Sequence, residues 1–526
     1  MKNREYPLYK RTRPSGIPDM LRTIAGQRPD GIAFRFRKGR DTVETKTYTE
    51  VLHEVKKAAC WTEQTFGSGK HIAIIGENSY EWILAFFTVL SSGNVAVLID
   101  KELPAAEVER LISKAGAGAA FVSKTYSDLV GNVEGLNIVT FRELTSSEGE
   151  NADEYRLHDP EEEEAACIFF TSGTSGRSKG VLLTHGNLSW EIYGPASLFD
   201  PEGTSTLAVL PFHHTFGLNV AVLSAYNIGV SIFINKSLKK VKDDLLLARP
   251  DTIMLVPMFV EVFYKQIMDG IRKSGREKKV KAGIRLGNLL LRAGIDIRRR
   301  IFREVLDSFG GNLKFIICGG AHLDPFYVRA FRNFGIEILN GYGTTECSPC
   351  VAVNRNYYKR DGSVGLLIPG MEMRISSGGE VQFKGPVVMK GYYDEPEETA
   401  EVLHDGWYST GDLGYVDDDG FLFLTGRIKN LIILSNGENI SPEELENDFH
   451  EDRAVNEVLV YEKDQKIIAE IFPDEEHMGD TAYFEALAER INKGRPVYKQ
   501  IASVKLRNEE FIKNTSKKIV RYKNIP

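Results

Sequence analysis

The residue pattern predicts an α/β fold: a large N-terminal domain of doubly wound sheets, residues 1–426, followed by a small α+β domain, residues 431–526. Three observations carry that reading. From about residue 18, short apolar runs alternate with helical patterns, the rhythm of βαβ units with helices on both faces of a parallel sheet. From about residue 362, short strands and turns dominate and mark a β-rich subdomain. Beyond Gly426 the order changes again, to strand, helix, two strands, helix and a basic tail, which makes residues 427–430 the expected hinge.

Taken in order, residues 71–75 (HIAII) form an apolar strand closed by Gly76. A helix at 81–90, a strand at 94–99, a helix at 107–115 and a strand at 119–122 (AAFV) follow. The acidic run 159–164 reads as a solvated loop. An apolar run at 167–170 then enters TSGTSGRSKG and emerges at apolar 181–183. Further strands are expected at 205–210, 230–234, 252–256, 313–318 and 337–339. The β-rich part adds strands at 371–375, 379–383, 406–408, 411–415 and 420–424. The C-terminal unit is expected to hold strands at 431–434, 457–461 and 467–471 and helices at 442–450 and 481–491.

One segment stands apart. Residues 272–303 carry twelve Lys or Arg against two Asp or Glu, a local charge of +10 in a chain whose total is −7. It reads either as an amphipathic helical pair facing an anionic membrane, with Arg298, Arg299 and Arg300 its densest cationic point, or as a solvated helical insertion.

A chain of 526 residues can bury a large core. The net charge of −7 argues against a nucleic-acid binder held by bulk charge. Five scattered cysteines fit a reducing cytoplasm better than a disulfide framework. Cys347 and Cys350 form a lone CxxC with no second pair nearby, a weak metal or redox signal. The basic start MKNREYPLYKRTRP lacks an apolar core behind it, so no signal peptide is expected. The longest largely apolar run, Trp82 to Leu90, is too short to span a bilayer. A cytoplasmic location follows, with peripheral membrane contact through 272–303 as the open question.

Several clusters have the composition that nucleotide chemistry needs. In the stretch 171–180, Gly173, Gly176 and Gly180 permit close backbone approach. Backbone N–H groups and the hydroxyls of Thr171, Ser172, Thr174 and Ser175 can donate to phosphate oxygens, and Lys179 adds a point charge. Gly180 stands where a Walker loop requires Ser or Thr, so this is a phosphate cradle of another kind. In NGYGTTE (340–346), Tyr342 can stack on a purine between two glycines, Thr345 offers a hydroxyl, and Glu346 offers a hard oxygen suited to Mg²⁺. The same residues also read as a tight turn with a capping Thr. Asp412, in GWYSTGDLG, can accept from both ribose hydroxyls or simply close a turn. Arg427 and Lys429, in GRIKN, sit at the expected joint, where Arg427 can also reach a phosphate or ribose. PFHHTFG places His213 and His214 beside aromatics after a strand, and the tail FIKNTSKKIVR holds Lys513, Lys517, Lys518 and Arg521.

In this order, TSGTSGRSKG, PFHHTFG, GYGTTE, GWYSTGDLG, GRIKN, GENISPEELE and KNTSKKIVR resemble the adenylate-forming superfamily of acyl-CoA synthetases, adenylation domains and luciferases, over about residues 18–522. The resemblance implies ATP, Mg²⁺ and coenzyme A. A carboxylate attacks the α-phosphate to give acyl-AMP and pyrophosphate, and a thiol then displaces AMP. By motif match, Thr171 to Lys179 would hold the β- and γ-phosphates. Asn340, Gly341, Tyr342, Gly343 and Thr344 would bind the nucleotide, with Tyr342 stacked on adenine. Thr345 would contact the α-phosphate, Glu346 the Mg²⁺, and Asp412 the ribose, with Arg427 nearby. Gly319, Gly320 and Ala321 would border adenine and the acyl group, and His214 would gate the carboxylate. Lys518 matches the family's C-terminal catalytic lysine, with Lys517 where glycine is common, and Lys429 matches the position about which the small, mobile domain rotates. Gly437 opens the GENISPEELE stretch expected near coenzyme A.

PFHHTFGLN contains no Asp, where amino-acid-activating members carry one for the α-ammonium. The basic insertion, with FGGNLK and CGGA after it, resembles long-chain fatty acyl-CoA synthetases. A medium- or long-chain fatty acid is therefore the expected substrate. An aryl acid, or a carrier protein's phosphopantetheine in place of coenzyme A, are the alternatives.

Overall fold

The computed structural model describes residues 6–39, 42–172, 178–433, 439–450, 452–513 and 519–525. The chain divides into two units. The larger comprises Met1–Leu323, Tyr327–Met373 and Phe383–Tyr408; the smaller comprises Asp324–Phe326, Arg374–Gln382 and Ser409–Pro526.

The larger unit is built on two sheets. Among the described residues, one runs in the order Gly391–Tyr392, Ser178–Thr184, Ala165–Ser172, Val95–Leu98, His71–Ile75, Ala119–Val122 and Asn137–Thr140. Its central strands are parallel and buried, which is why they read as continuous apolar runs. The second sheet orders Leu366–Leu367, Cys350–Val353, Glu337–Gly343, Phe315–Cys318, Thr252–Leu255, Ser205–Ala208, Ser231–Ile234, Ile32–Arg37 and Val43–Thr47. The apolar run at Trp82 lies in the helix Tyr80–Ser91, in which every residue but Glu81 is buried. A helix apolar on all sides belongs inside a large core. Ser79 starts it by accepting from the Trp82 N–H at 3.1 Å.

The strand expected at 337–339 runs further, as Glu337–Gly343. Its first half pairs in parallel with Phe315–Cys318 and its second half antiparallel with Cys350–Val353, so NGYG is strand rather than turn. Gly343 makes this possible: a Cβ there would lie 1.5 Å from the Pro349 carbonyl oxygen.

The basic segment contains the helix Glu277–Arg292, followed by short helices Arg298–Ile301 and Arg303–Asp307. The expectation that Arg298 to Arg300 form one outward cationic point is corrected here. Arg298 is buried; its guanidinium donates to Asp296 at 2.8 Å and to the Arg332 carbonyl at 2.7 Å. Arg299 donates to the carbonyls of Leu313 at 2.7 Å and Gly335 at 3.0 Å. These two guanidiniums are spent on backbone carbonyls and a carboxylate of the fold rather than presented to solvent. Among the described residues, no helix is long and apolar enough to cross a membrane.

In the smaller unit, Val455–Lys463, Lys466–Pro473 and Ile501–Leu506 form a three-stranded sheet. The helices Pro442–His450 and Thr481–Asn492 supply Leu445, Phe449, Phe484 and Leu487 to the core, against Val458, Val460, Ala469 and Ile471. The strands expected at 406–408 and 411–415 are one strand, Trp407–Val416. Gly411 lies within it with φ of +70°, a conformation that glycine adopts freely.

Candidate active site

The TSGTSGRSKG stretch is a β-hairpin. Ala165–Ser172 and Ser178–Thr184 pair antiparallel, with Thr171 opposite Lys179 and Ser172 opposite Ser178. Its tip, with Gly173, Thr174, Ser175 and Gly176, lies outside the described residues, and Ser172 is described in its backbone alone. The short strand Gly391–Tyr392 adds to the outer edge, Tyr392 opposite Val181. That pairing sets the Tyr392 ring beneath Lys179, whose Nζ lies 4.7 Å from the ring centroid. The Tyr392 hydroxyl donates to Glu346 Oε1 at 2.9 Å. Burial first, and the Glu346 carboxylate second, push this phenol's pKa up. One tyrosine therefore joins the hairpin's cation to the carboxylate of GYGTTE.

Glu346 rides on a single helical turn, Thr345–Cys347, directly after the strand Glu337–Gly343. Its carbonyl accepts from the Met389 N–H at 2.8 Å. Residues 341–346 are half-buried, whereas Cys347 to Cys350 are buried. The chain just beyond is held from below. The Asn219 amide donates to the Ser348 carbonyl at 2.7 Å, and the buried Glu191 carboxyl accepts from the Cys350 N–H at 3.2 Å. Burial pushes the thiols of Cys347 and Cys350 up, toward their uncharged form.

A second convergence involves three motifs. Gly319 lies where an added Cβ would meet the Gly341 carbonyl at 3.4 Å and the Phe216 ring at 3.5 Å. Phe216 opens a π-helical segment, Phe216–Ser224, at the end of PFHHTFG. Gly320 follows with φ of +84°, then Ala321. Next to Gly341, Tyr342 sets its ring centroid 6.0 Å from that of Phe383. Asn340 keeps a buried Oδ1 that, among the described residues, has no hydrogen-bond partner. His213 is buried, with Nε2 3.4 Å from Asp100 Oδ1. Burial, and then its neighbour His214 at 4.3 Å between ring centroids, hold its pKa well below the ordinary histidine value.

The smaller unit carries the remaining described candidates. Asp412 is buried and opposite Arg427 in an antiparallel pair, and Arg427 Nε lies 2.7 Å from Asp412 Oδ1. Desolvation, then the Arg427 charge, push the Lys429 ammonium down. Lys517, Lys518 and Gly437 lie outside the described residues. The segment holding the two lysines is flanked by an antiparallel bridge between Lys513 and Ile519. Just beyond, Arg521 donates to both oxygens of half-buried Glu446 at 2.7 and 3.0 Å. Glu446 belongs to GENISPEELE, so two motifs far apart in sequence share one ion pair.

Among the described residues, no group of three or more His, Cys, Asp or Glu is placed to hold a metal ion. A lone carboxylate such as Glu346 suits Mg²⁺ of the kind that takes most of its oxygens from substrate phosphates and water. Local composition singles out Lys179 and Glu346. Tyr392 and Glu191 carry no comparable local signal, because their significance arises from long-range pairing.

The family model described as AMP-binding enzyme matches residues 21–393. The long-chain-fatty-acid–CoA ligase FadD15 of Mycobacterium bovis is 29% identical over 428 residues, 75% of this chain and 71% of that protein. A 2-succinylbenzoate–CoA ligase of a Geobacillus species is 28% identical over 461 residues, 85% of this chain and 84% of that protein. Among solved structures, o-succinylbenzoate CoA synthetase from Bacillus subtilis, in complex with its acyl-adenylate intermediate, shares the fold with a TM-score of 0.77 and 22% identity over 97% of this chain and 98% of that one.

Proposed function

This chain belongs to the AMP-binding enzyme family, and from that premise we propose that it is an AMP-forming acid–CoA ligase that activates a medium- or long-chain fatty acid. In the first half-reaction a carboxylate oxygen attacks the α-phosphorus of ATP. A P–O bond forms, the bond to the β-phosphate bridging oxygen breaks, and pyrophosphate leaves. In the second, the thiol sulfur of coenzyme A attacks the acyl carbon, AMP leaves with the bonding pair, and the thiol proton is released.

The observation that carries the reading is the Lys179–Tyr392–Glu346 arrangement at the base of the glycine-rich hairpin. It puts a cation and a metal-competent carboxylate on one tyrosine beside a loop rich in phosphate donors. Mg²⁺ bound there would neutralise phosphate charge, and Glu346 is the residue that would hold it. Tyr342 would pack against adenine, and the unpartnered Asn340 Oδ1 is an acceptor available to an exocyclic amine. Gly319, Gly320 and Ala321 would border adenine and the acyl group, and Thr345 would contact the α-phosphate. Asp412 would accept the ribose hydroxyls beside Arg427. Lys518 would deliver its ammonium to the charge that develops on the five-coordinate phosphorus. Rotation about Lys429 would exchange Lys518 for the Gly437 segment between half-reactions, the small domain moving about residues 427–430.

The likeness to FadD15 and the absence of Asp from PFHHTFGLN support a fatty acid over an amino acid. An aryl acid is the second reading, supported by the match to the 2-succinylbenzoate–CoA ligase over more of the chain. The enzyme would act in the cytoplasm, with peripheral membrane contact through 272–303. A panel of fatty, aryl and amino acids with ATP and Mg²⁺, read as AMP release with and without coenzyme A, tests the proposal. AMP release that needs coenzyme A and peaks on fatty acids is expected. A peak on aryl acids would replace the substrate, and a carrier-protein requirement would replace the acceptor.

A further inference from the structure

We infer that the outward face of the helix Glu277–Arg292 is a docking surface for an anionic lipid bilayer. This narrows the contact proposed for residues 272–303 to one helix and holds whichever acid is activated. With about 3.6 residues per turn, positions i, i+4 and i+7 share a face. Ala282, Leu286 and Leu289 occupy such a stripe, and Leu286 is 49% and Leu289 63% exposed. The inward edge is marked by Gly283 and Gly287. A Cβ on Gly283 would lie 3.0 Å from Ile301, and one on Gly287 would lie 3.2 Å from Arg298.

Cations frame the stripe. By helical position, Lys278, Lys281, Arg285 and Arg292 border it on one side and Lys279 on the other; all five are exposed. Among the described residues these five make no ion pair, whereas Arg272, Arg276, Arg298 and Arg303 do. Arg272 approaches Glu277 at 3.7 Å, Arg276 pairs with Glu304, and Arg303 lies 3.9 Å from Asp307. Arg298 and Arg299 serve the interior. Apart from Lys273 and Arg300, the cations of the segment that are left without an ion pair and exposed among the described residues therefore gather on the helix that also exposes leucines. Cations alone would suit any polyanion. Leucines set between them suit a surface with an apolar layer beneath its phosphates, which is the lipid interface. A basic residue at such a surface interacts only within a Debye length, so salt should weaken the contact.

The test uses the full chain and co-sedimentation with phosphatidylcholine vesicles, with and without phosphatidylserine. The wild type should bind the phosphatidylserine vesicles and release in high salt. Lys281→Gln with Arg285→Gln and Arg292→Gln should lower partitioning on the order of 100-fold, from the usual contribution of a cation near an anionic leaflet. Leu286→Gln with Leu289→Gln should lower it about tenfold or more. Both variants should keep wild-type AMP release with a water-soluble acid, which separates failure of the surface from failure of the enzyme assignment. Absence of wild-type binding, or leucine variants that bind as well as wild type, would overturn the inference. So would RNA competing for the surface in a way that depends on the cations and ignores the leucines.

Discussion

Replacing Tyr392 with Phe isolates one link of the candidate site. The ring beneath Lys179 at 4.7 Å stays, and the hydroxyl that donates to Glu346 at 2.9 Å goes. A hydrogen bond to a charged group contributes about 1.5–3 kcal/mol. A residue that orients a metal-binding carboxylate typically costs about 10- to 100-fold in metal affinity or activity when altered. The two estimates agree, since each 1.36 kcal/mol is about tenfold. Tyr392→Phe should therefore raise the Mg²⁺ concentration needed for half-maximal ATP–pyrophosphate exchange by about 10- to 100-fold, with a smaller effect on the KM for the acid. Tyr392→Leu should cost roughly another fivefold, the worth of an exposed-to-partly-buried cation–π contact. The hydroxyl acts only through Glu346, so Glu346→Gln should make Tyr392→Phe nearly silent in a double-mutant cycle. A wild-type Mg²⁺ profile in Tyr392→Phe, or additive losses in the cycle, would refute the linkage.

Three further outcomes are expected. Lys518→Ala should lower ATP–pyrophosphate exchange by at least about 10²-fold while thioester formation from supplied acyl-AMP persists; equal loss of both would sink the assigned role. Gly426→Ala should destabilise the smaller unit by about 1–3 kcal/mol, since its φ is +156° and an added Cβ would lie 2.1 Å from Ser441 Oγ. An unchanged urea midpoint for that unit would contradict this. Burial lowers the His185 pKa to about 3 in the folded chain, against 6.5 for a free imidazole. The folded state refuses the proton that the unfolded state accepts, so stability is full above pH 6.5 and falls below it, by about 1.4 kcal/mol per pH unit until the folded value is reached. His185→Gln should flatten the acid side of a stability–pH profile by that slope, and an unaltered slope would show another group responsible.

How much of this was legible in the residues depends on the range of the interaction involved. Buried parallel strands announce themselves, because both faces are covered: HIAII and AAFV are the strands His71–Ile75 and Ala119–Val122. Where glycines interrupt the pattern, local reading stops early. NGYG suggested a turn, and the structure continues it as strand because Cys350–Val353 arrives to pair with it. Charge runs mislead for a related reason. Arg298 and Arg299 look like surface from composition, and only the folded chain reveals the carbonyls of Arg332, Leu313 and Gly335 that they cap. Lys179 and Glu346 could be picked out from their own motifs. Tyr392 could not, since its strand is two residues long and its partner is more than two hundred residues away.

The support beneath the Glu346 turn has an electrostatic logic of its own. Three acidic groups lie buried there: the Glu191 carboxyl and the thiols of Cys347 and Cys350. Burial drives each toward its neutral form. A buried carboxyl with no cation beside it would be expensive if charged, but as a neutral acid it can accept from the Cys350 N–H and fix the chain after the turn. No like charge then presses on Glu346 from below to compete for a cation. On the other side, the Lys179 ammonium is held against a ring face rather than against the carboxylate. Direct pairing of Lys179 with Glu346 would cancel both charges. Separation by Tyr392 would leave the cation available to phosphate oxygens and the carboxylate to a metal, as the proposed polyphosphate site requires.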